Sequence, residues 1–259
     1  MMDLSLYRED VFTHYKSNSQ IARVLSEAWC SSEMYCPSCL NDRIDKLPDN
    51  TKVSDFVCED CKNEFQLKCS SKKLGRKIVD GEFNTMIRFI NSNSIPNLFL
   101  MRYSKDDWFV KKMLMVPKFF ISQSIIEKRN PLSSTARRAG WTGCNILLDR
   151  IPEDGKITII KNEKIIEKSK VHKIWERMNF LNKKKPHLRG WMADVLKIIE
   201  DLNKEDFNIH DLYKNKEYLC ELHPDNRHVE AKIRQQLQYL RDNGIVKFVS
   251  PGRYRLLKY

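Results

Sequence analysis

The sequence predicts two folds in series: an α/β domain with a mixed sheet over residues 1–181, then a helical domain closed by a β-hairpin over residues 182–259. Three observations predict it. In the first part, runs of alternating strand-forming residues are interspersed with segments of helical period. The same part holds two Cys-x2-Cys pairs, Cys36/Cys39 and Cys58/Cys61. After a polar, basic break at residues 182–187 come three segments of helical period and two short strand-forming runs.

Taken in order, Val11, Tyr15, Ile21, Val24, Leu25 and Ala28 recur at helical spacing and predict one or two helices over residues 6–29. Residues 53–57 and 63–68 alternate and flank the second cysteine pair, so they predict a hairpin. On its second strand Phe65 and Leu67 share the inward face, while Gln66 and Lys68 share the other. Residues 81–90 predict a helix, and residues 97–103, 108–116 and 157–160 predict strands, the second closed by Pro117.

Eighteen residues separate the two cysteine pairs, within the spacing of about 15–20 that brings four thiolates around one zinc ion. Each knuckle aims two sulfurs at one point, and two knuckles complete a tetrahedron. Such a site has no open position, so the zinc held by Cys36, Cys39, Cys58 and Cys61 is expected to be structural. The residue after a knuckle often needs positive φ; here Asn41, behind Leu40, is the residue suited to it. Cys30, Cys69, Cys144 and Cys220 read as small buried apolar residues.

Asp55 on the first strand of the hairpin can reach the face that carries Gln66 and Lys68. An acidic oxygen, an amide oxygen and an ammonium at one sheet edge suit phosphodiester hydrolysis. Asp55, the Gln66 side chain and the Leu67 carbonyl would hold a hard divalent cation, and Lys68 would orient a water and offset developing charge. A solvated hairpin of mixed polar residues would carry the same spacing. The basic loop after this strand, with Lys72 and Lys73, is expected to contact phosphates.

In the second domain Val195, Ile198, Ile199 and Leu202 form one face of a helix opened by Gly190 and Trp191. Residues 207–213 predict a second helix with Asn208 as N-cap. Residues 226–243 predict a third, with Val229, Ile233, Leu237 and Leu240 buried and Gly244 ending it. Strands at 245–249 and 254–257 follow, joined by a turn with Arg253. Three helices and a hairpin make a winged helix, whose third helix enters the major groove. Arg234, Gln235, Gln238 and Arg241 occupy its predicted polar face, where Gln pairs with adenine and Arg with guanine.

Lys and Arg number 46 against 34 Asp and Glu, a net charge of +12 that points to a polyanionic partner. No 18-residue apolar run and no secretory signal are evident, so the expected location is a reducing cytoplasm of prokaryotic type, with no membrane partner.

Several stretches together resemble the DpnI-like, Dam-replacing family of restriction endonucleases. They are the Asp55, Gln66-Leu67-Lys68 set, which looks like the PD-(D/E)xK nuclease signature; Tyr15-Lys16-Ser17-Asn18-Ser19-Gln20; the cysteine pairs; the stretch from Pro131-Leu132 through Thr135-Ala136-Arg137-Arg138-Ala139-Gly140-Trp141 to Ile146; and Lys232-Ile233-Arg234-Gln235-Gln236-Leu237-Gln238 with Leu240-Arg241-Asp242. The resemblance covers almost the whole chain. It implies a Mg2+-dependent type II enzyme that cuts double-stranded DNA at GATC sites carrying N6-methyladenine, with Asp55, position 66 and Lys68 as catalytic set. It implies a structural zinc and a winged-helix second domain; no obligate protein partner is inferred. At position 66 the signature has an acid and this chain has Gln66; Glu64, two residues earlier on the same face, is placed to compensate. The alternative is a catalytically impaired homologue that binds methylated DNA. In the loop before residue 144, Arg137 and Arg138 suit phosphate or guanine edges. Trp141 offers a flat apolar face for the adenine methyl group, or else packs beneath the loop as a core residue.

Overall fold

The structure is a computed structural model that describes residues 1–8, 10–49 and 51–257. The N-terminal elements are α1 (Val11–His14), α2 (Asn18–Glu33), β1 (Asp45–Lys46), β2 (Phe56–Val57), β3 (Glu64–Ser70), β4 (Lys77–Glu82) and α3 (Phe83–Asn91). Then come β5 (Asn97–Tyr103), β6 (Val110–Val116), β7 (Ile126–Lys128), β8 (Gly143–Leu147), β9 (Ile157–Lys161), β10 (Lys164–Ile165) and α4 (Lys168–Met178). The C-terminal elements are α5 (Pro186–Asp201), β11 (Asp206–Asn208), α6 (Ile209–Tyr213), α7 (Lys216–Leu222), α8 (Val229–Asp242), β12 (Val246–Ser250) and β13 (Arg253–Leu256).

They form two compact units. The first comprises Met1–Gly75, Ser94–Lys118 and Asp154–Met178; the second comprises Arg76–Asn93, Phe119–Glu153 and Asn179–Tyr259.

The first unit is built on a mixed sheet of order β1-β2-β3-β5-β6-β9-β10. Among the described residues only β3 and β5 run parallel; their register sets Gln66 beside Leu98 and Lys68 beside Leu100. With neighbours on both edges, β5 carries the continuous apolar run Leu98, Phe99, Leu100 and Met101, all buried, as a strand covered on both faces requires. Phe65 on β3 stacks on Phe99 with ring centroids 4.7 Å apart. On α2, Ile21, Ala22, Leu25, Trp29 and Cys30 are buried, and the helix packs on β3.

The expected hairpin forms, but its first strand is short. Only Phe56 and Val57 pair with β3, because Val53 adopts φ 71, which no extended strand tolerates. Leu67 is half-buried rather than fully inward.

The second unit contains a separate sheet, β4-β8-β7, and the C-terminal winged helix. Three features of the latter depart from expectation. First, α5 begins at Pro186, inside the predicted break, because proline fits the first helical position, where no N–H partner is needed. Second, Phe207 belongs to β11, paired with Tyr254, and joins the hairpin in a sheet of order β11-β13-β12. Asn208 ends that strand and caps α6, with Asp211 completing the capping box. Third, α7 has no counterpart among the predicted helices; its single fully buried residue, Leu219, leaves no period to read.

Helix α8 buries Val229, Ile233, Leu237 and Leu240 as expected, and Gln236 with them. Gly244 follows at φ 70. The buried Asp194 carboxylate ties this unit together. It accepts a 3.0 Å hydrogen bond from Ser124 and lies 2.8 Å from His223 Nε2. His223 in turn stacks on Trp191.

Because Phe99 is fully buried and stacked at the centre of the large sheet, Phe99→Ala should cost about 3–5 kcal/mol. A urea midpoint within error of the parent would show that this stack is not the core.

Candidate active site and nucleic-acid interface

The two knuckles are made by the backbone. Cys36 N–H donates to Asn41 and Leu40 N–H to Cys36; Cys58 N–H donates to Asn63 and Lys62 N–H to Cys58. The turn demands positive φ directly after each second cysteine, at Leu40 (65°) and Lys62 (56°). Asn41 does not take that conformation, as had been expected, since it lies one residue too late. The strain at two L-residues persists because the surrounding contacts hold it.

The four sulfurs lie within 4.8 Å of one another, with Cys36 and Cys61 at 3.6 Å and Cys39 and Cys58 at 3.5 Å. Four thiolates around zinc stand about 3.8 Å apart, given zinc–sulfur bonds of about 2.3 Å. The cluster could therefore hold zinc with small adjustment. Asn63 Nδ2 donates to Cys61 Sγ at 3.3 Å, a hydrogen bond that orients the thiolate.

The knuckle of Cys58 and Cys61 closes the β2–β3 hairpin, and β2 begins only after Asp55. Asp55 N–H still donates to Phe65, at 2.9 Å. Beyond that point β3 has no strand partner on this edge. The Leu67 N–H, which would otherwise lack an acceptor, donates to Asp55 Oδ2 at 2.7 Å. The carboxylate is thus docked on β3 between Gln66 and Lys68. A strand residue presents its N–H and C=O to the same side, so the Leu67 carbonyl opens toward Asp55 as well.

Burial raises the Asp55 carboxyl above its ordinary value, and Glu27 adds to this; the Leu67 N–H, Lys68 and Arg23 pull the other way. A carboxylate ionised at such a cost is stabilised by a cation. The oxygens of Asp55, Gln66 and Leu67 are hard donors and fit a divalent ion of the magnesium or calcium type. Glu64 is not directed to this set. It is exposed, and the Ser54 hydroxyl donates to its carboxylate.

Glu27 is the residue that sequence reasoning missed. It is buried on α2, 8% exposed, beside the stripe of Ile21, Val24, Leu25 and Ala28 that the helical period assigns to apolar contact.

The candidate DNA contacts are distributed over both units. Lys72 and Lys73 are exposed in the bend after β3. Arg137 and Arg138 are exposed in the loop before β8, where Gly140 takes φ 77. Trp141 is half-buried. Its ring lies against Gly143, where a Cβ would come within 2.8 Å of it, and the Arg138 guanidinium sits 4.9 Å from its centroid. Gly143 therefore accommodates the indole rather than an approaching backbone.

On α8, Arg234, Gln238 and Arg241 are exposed, and Arg253 is exposed on β13. Gln235 is half-buried, and its amide oxygen accepts from Lys232 at 2.9 Å and Gln236 at 3.3 Å. Arg234 donates to the Tyr213 hydroxyl, and Arg241 pairs with Asp242. No helix among the described residues is long and apolar enough to cross a membrane.

Two family models match the sequence. The Dam-replacing family model matches residues 2–184, and the Dam-replacing HTH domain matches residues 187–256, which assigns the C-terminal helices to DNA binding. The two matches meet at the start of α5 and span almost the entire sequence, so the chain belongs to the DpnI-like Dam-replacing family, a membership that implies a methyl-directed restriction endonuclease.

Proposed function

We propose that the protein is a Mg2+-dependent deoxyribonuclease of the restriction type, cutting double-stranded DNA at GATC sites that carry N6-methyladenine, in a prokaryotic cytoplasm. The observation that carries this reading is the Asp55 carboxylate docked on the β3 backbone between Gln66 and Lys68. Membership of the Dam-replacing family supports reading Asp55, Gln66 and Lys68 as a nuclease signature.

Asp55, the Gln66 amide oxygen and the Leu67 carbonyl would hold Mg2+, which supplies charge neutralisation at the scissile phosphate and a more acidic water. Lys68 then positions a water by hydrogen bonding and offsets negative charge on the phosphate. Lys72 and Lys73 hold the neighbouring backbone phosphates. Arg137, Arg138 and Trp141 form a reading loop, with the indole as an apolar surface for a methyl group. Arg234, Gln235, Gln238 and Arg241 on α8 approach base edges, and Arg253 holds a phosphate. Zinc at Cys36, Cys39, Cys58 and Cys61 is structural and keeps the hairpin closed. The boundary between the nuclease and DNA-reading modules is placed at 181/182, just before α5.

A second reading, a catalytically impaired methylated-DNA binder, rests on Gln66, which lacks the negative charge of an acid.

Five outcomes test these readings. Plasmid from a host that methylates GATC adenines should be cut in Mg2+, and unmethylated plasmid left intact; equal cutting of both removes the methyl-directed claim. In the same assay Asp55→Ala should lose at least about 1000-fold in rate yet still retard DNA in a gel. A parent that is silent until Gln66→Glu is introduced would favour the impaired binder. Elemental analysis should find one zinc per chain, lost in Cys58→Ser with a fall in Tm; an unchanged melt would separate the cluster from stability.

The fifth outcome concerns Asp55 in magnesium-free protein. Its folded value is raised above the unfolded one, so its ionisation opposes folding. That opposition is absent below about pH 4, where the unfolded group is also protonated. It grows as pH rises through the folded value and is constant above it. Asp55→Asn should accordingly melt a few degrees above the parent at pH 8, the gap closing toward pH 4; a lower melt at pH 8 would contradict the sign.

A further inference from the structure

We propose that Glu64 is a positioning residue for Asp55, acting through the Ser54 hydroxyl. This rests on the nuclease reading of Asp55 and deepens it.

The chain that delivers Asp55 is not yet part of a strand. β2 begins only at Phe56, and the Asp55 backbone reaches β3 through its N–H, which donates to Phe65 at 2.9 Å. Two residues earlier Val53 takes φ 71, a conformation that is costly for a β-branched residue and persists only where neighbouring contacts impose it. Ser54 lies between the two, 3% exposed, and a hydroxyl on so buried a residue needs a partner. It donates to the Glu64 carboxylate. An ionised acceptor makes this the stronger kind of hydrogen bond. The contact crosses the hairpin, from the residue before Asp55 to the first residue of β3.

Glu64 is itself held from behind. Its carbonyl accepts a 2.9 Å hydrogen bond from Asn97 Nδ2, and Asn97 Oδ1 accepts from the Lys118 N–H at 2.9 Å. Asn97 is fully buried on β5, in register with Phe65. Moving the Glu64 backbone would leave a buried amide donor unpaired, which is costly. The side chain therefore extends from a fixed base. From there it sets Ser54, and Ser54 sets the backbone of the next residue. The Asp55 carbonyl accepts from the Leu47 N–H at 2.8 Å, and the Asp55 carboxylate from the Leu67 N–H at 2.7 Å. With its main chain restrained on both sides, Asp55 aims its carboxylate at one point on the β3 edge, and a cation ligand must be held there to within a fraction of an ångström. The Glu64 carboxylate is engaged by Ser54, so what Glu64 contributes is an acceptor. A glutamine oxygen in the same place would serve equally, whereas a carboxylate bound to the cation would lose affinity with its charge.

That difference separates the two roles experimentally. Zinc-loaded full-length protein, free of DNA, is titrated with Mn2+ by calorimetry, with zinc content and melting confirming the fold of each variant. Ser54→Ala and Glu64→Ala should each weaken Mn2+ binding at least about tenfold, the loss expected when a group that orients a ligand is removed. Glu64→Gln should bind Mn2+ like the parent. The double variant Ser54→Ala/Glu64→Ala should bind no worse than either single one, because both remove the same hydrogen bond. The proposal is overturned by Glu64→Gln binding as weakly as Glu64→Ala, which would make Glu64 a charge at the site, or by Ser54→Ala binding like the parent. Losses that multiply in the double variant overturn it as well. In each of these cases Asp55→Asn still loses the ion and the nuclease reading stands. A parent that binds no Mn2+, or an Asp55→Asn variant that binds it normally, removes the cation site, and the nuclease reading and this proposal fall together. If an alanine variant fails to hold zinc, Glu64→Gln decides alone: parent-like Mn2+ binding supports the proposal, and weaker binding defeats it.

Discussion

The hydrogen bond from the Leu67 N–H to the Asp55 carboxylate governs the geometry of the candidate active site. It exists because β2 begins only at Phe56 and leaves the β3 edge at Leu67 without a strand partner. An unsatisfied backbone donor in a half-buried position is costly, and a side-chain oxygen is the nearest remedy. The same bond that completes the sheet edge also fixes an acid between Gln66 and Lys68. Structural and chemical demands are met by one contact.

That contact depends on the cysteine knuckle next to it. Cys58 and Cys61 close the hairpin in a turn that places an L-residue, Lys62, at positive φ. Such a turn needs a restraint, and four sulfurs within 4.8 Å provide one when bridged by a metal. On the far side, the stacked Phe65 and Phe99 hold β3 to β5 and prevent the strand from sliding. A one-residue slip would send Gln66 and Lys68 to the opposite face. The site is thus held from below by the core and from its end by the thiolates.

The second unit follows a comparable logic with different chemistry. Asp194 is almost fully buried, yet its oxygens are satisfied by Ser124 and His223, so it joins α5 to the chain on either side without an unpaired charge. On α8 the apolar stripe faces inward and leaves Arg234, Gln238 and Arg241 outward. Gln235 is drawn into a network with Lys232 and Gln236. That network holds its amide on the helix.

Much of this was legible in the residues themselves. The cysteine spacing stated the thiolate cluster, since ligand geometry is local to each knuckle. The limits of β5 follow directly from its apolar run, and the stripe on α8 from its helical period. The family resemblance brought Asp55, Gln66 and Lys68 together as a set. What tertiary structure decided were contacts between residues far apart in sequence or governed by backbone conformation. Positive φ at Leu40 rather than a nearby Asn41 follows from turn closure, which residue preference does not determine. Phe207 entered a strand because Tyr254 lay opposite it. Trp141 settled on Gly143, two residues away, because only a glycine leaves room for the ring. Glu27 is the clearest case. The stripe of Val24, Leu25 and Ala28 passes it by, and only the fold buries it, with Lys46 and Arg23 answering its charge, because burial and pairing depend on position in space and not along the chain.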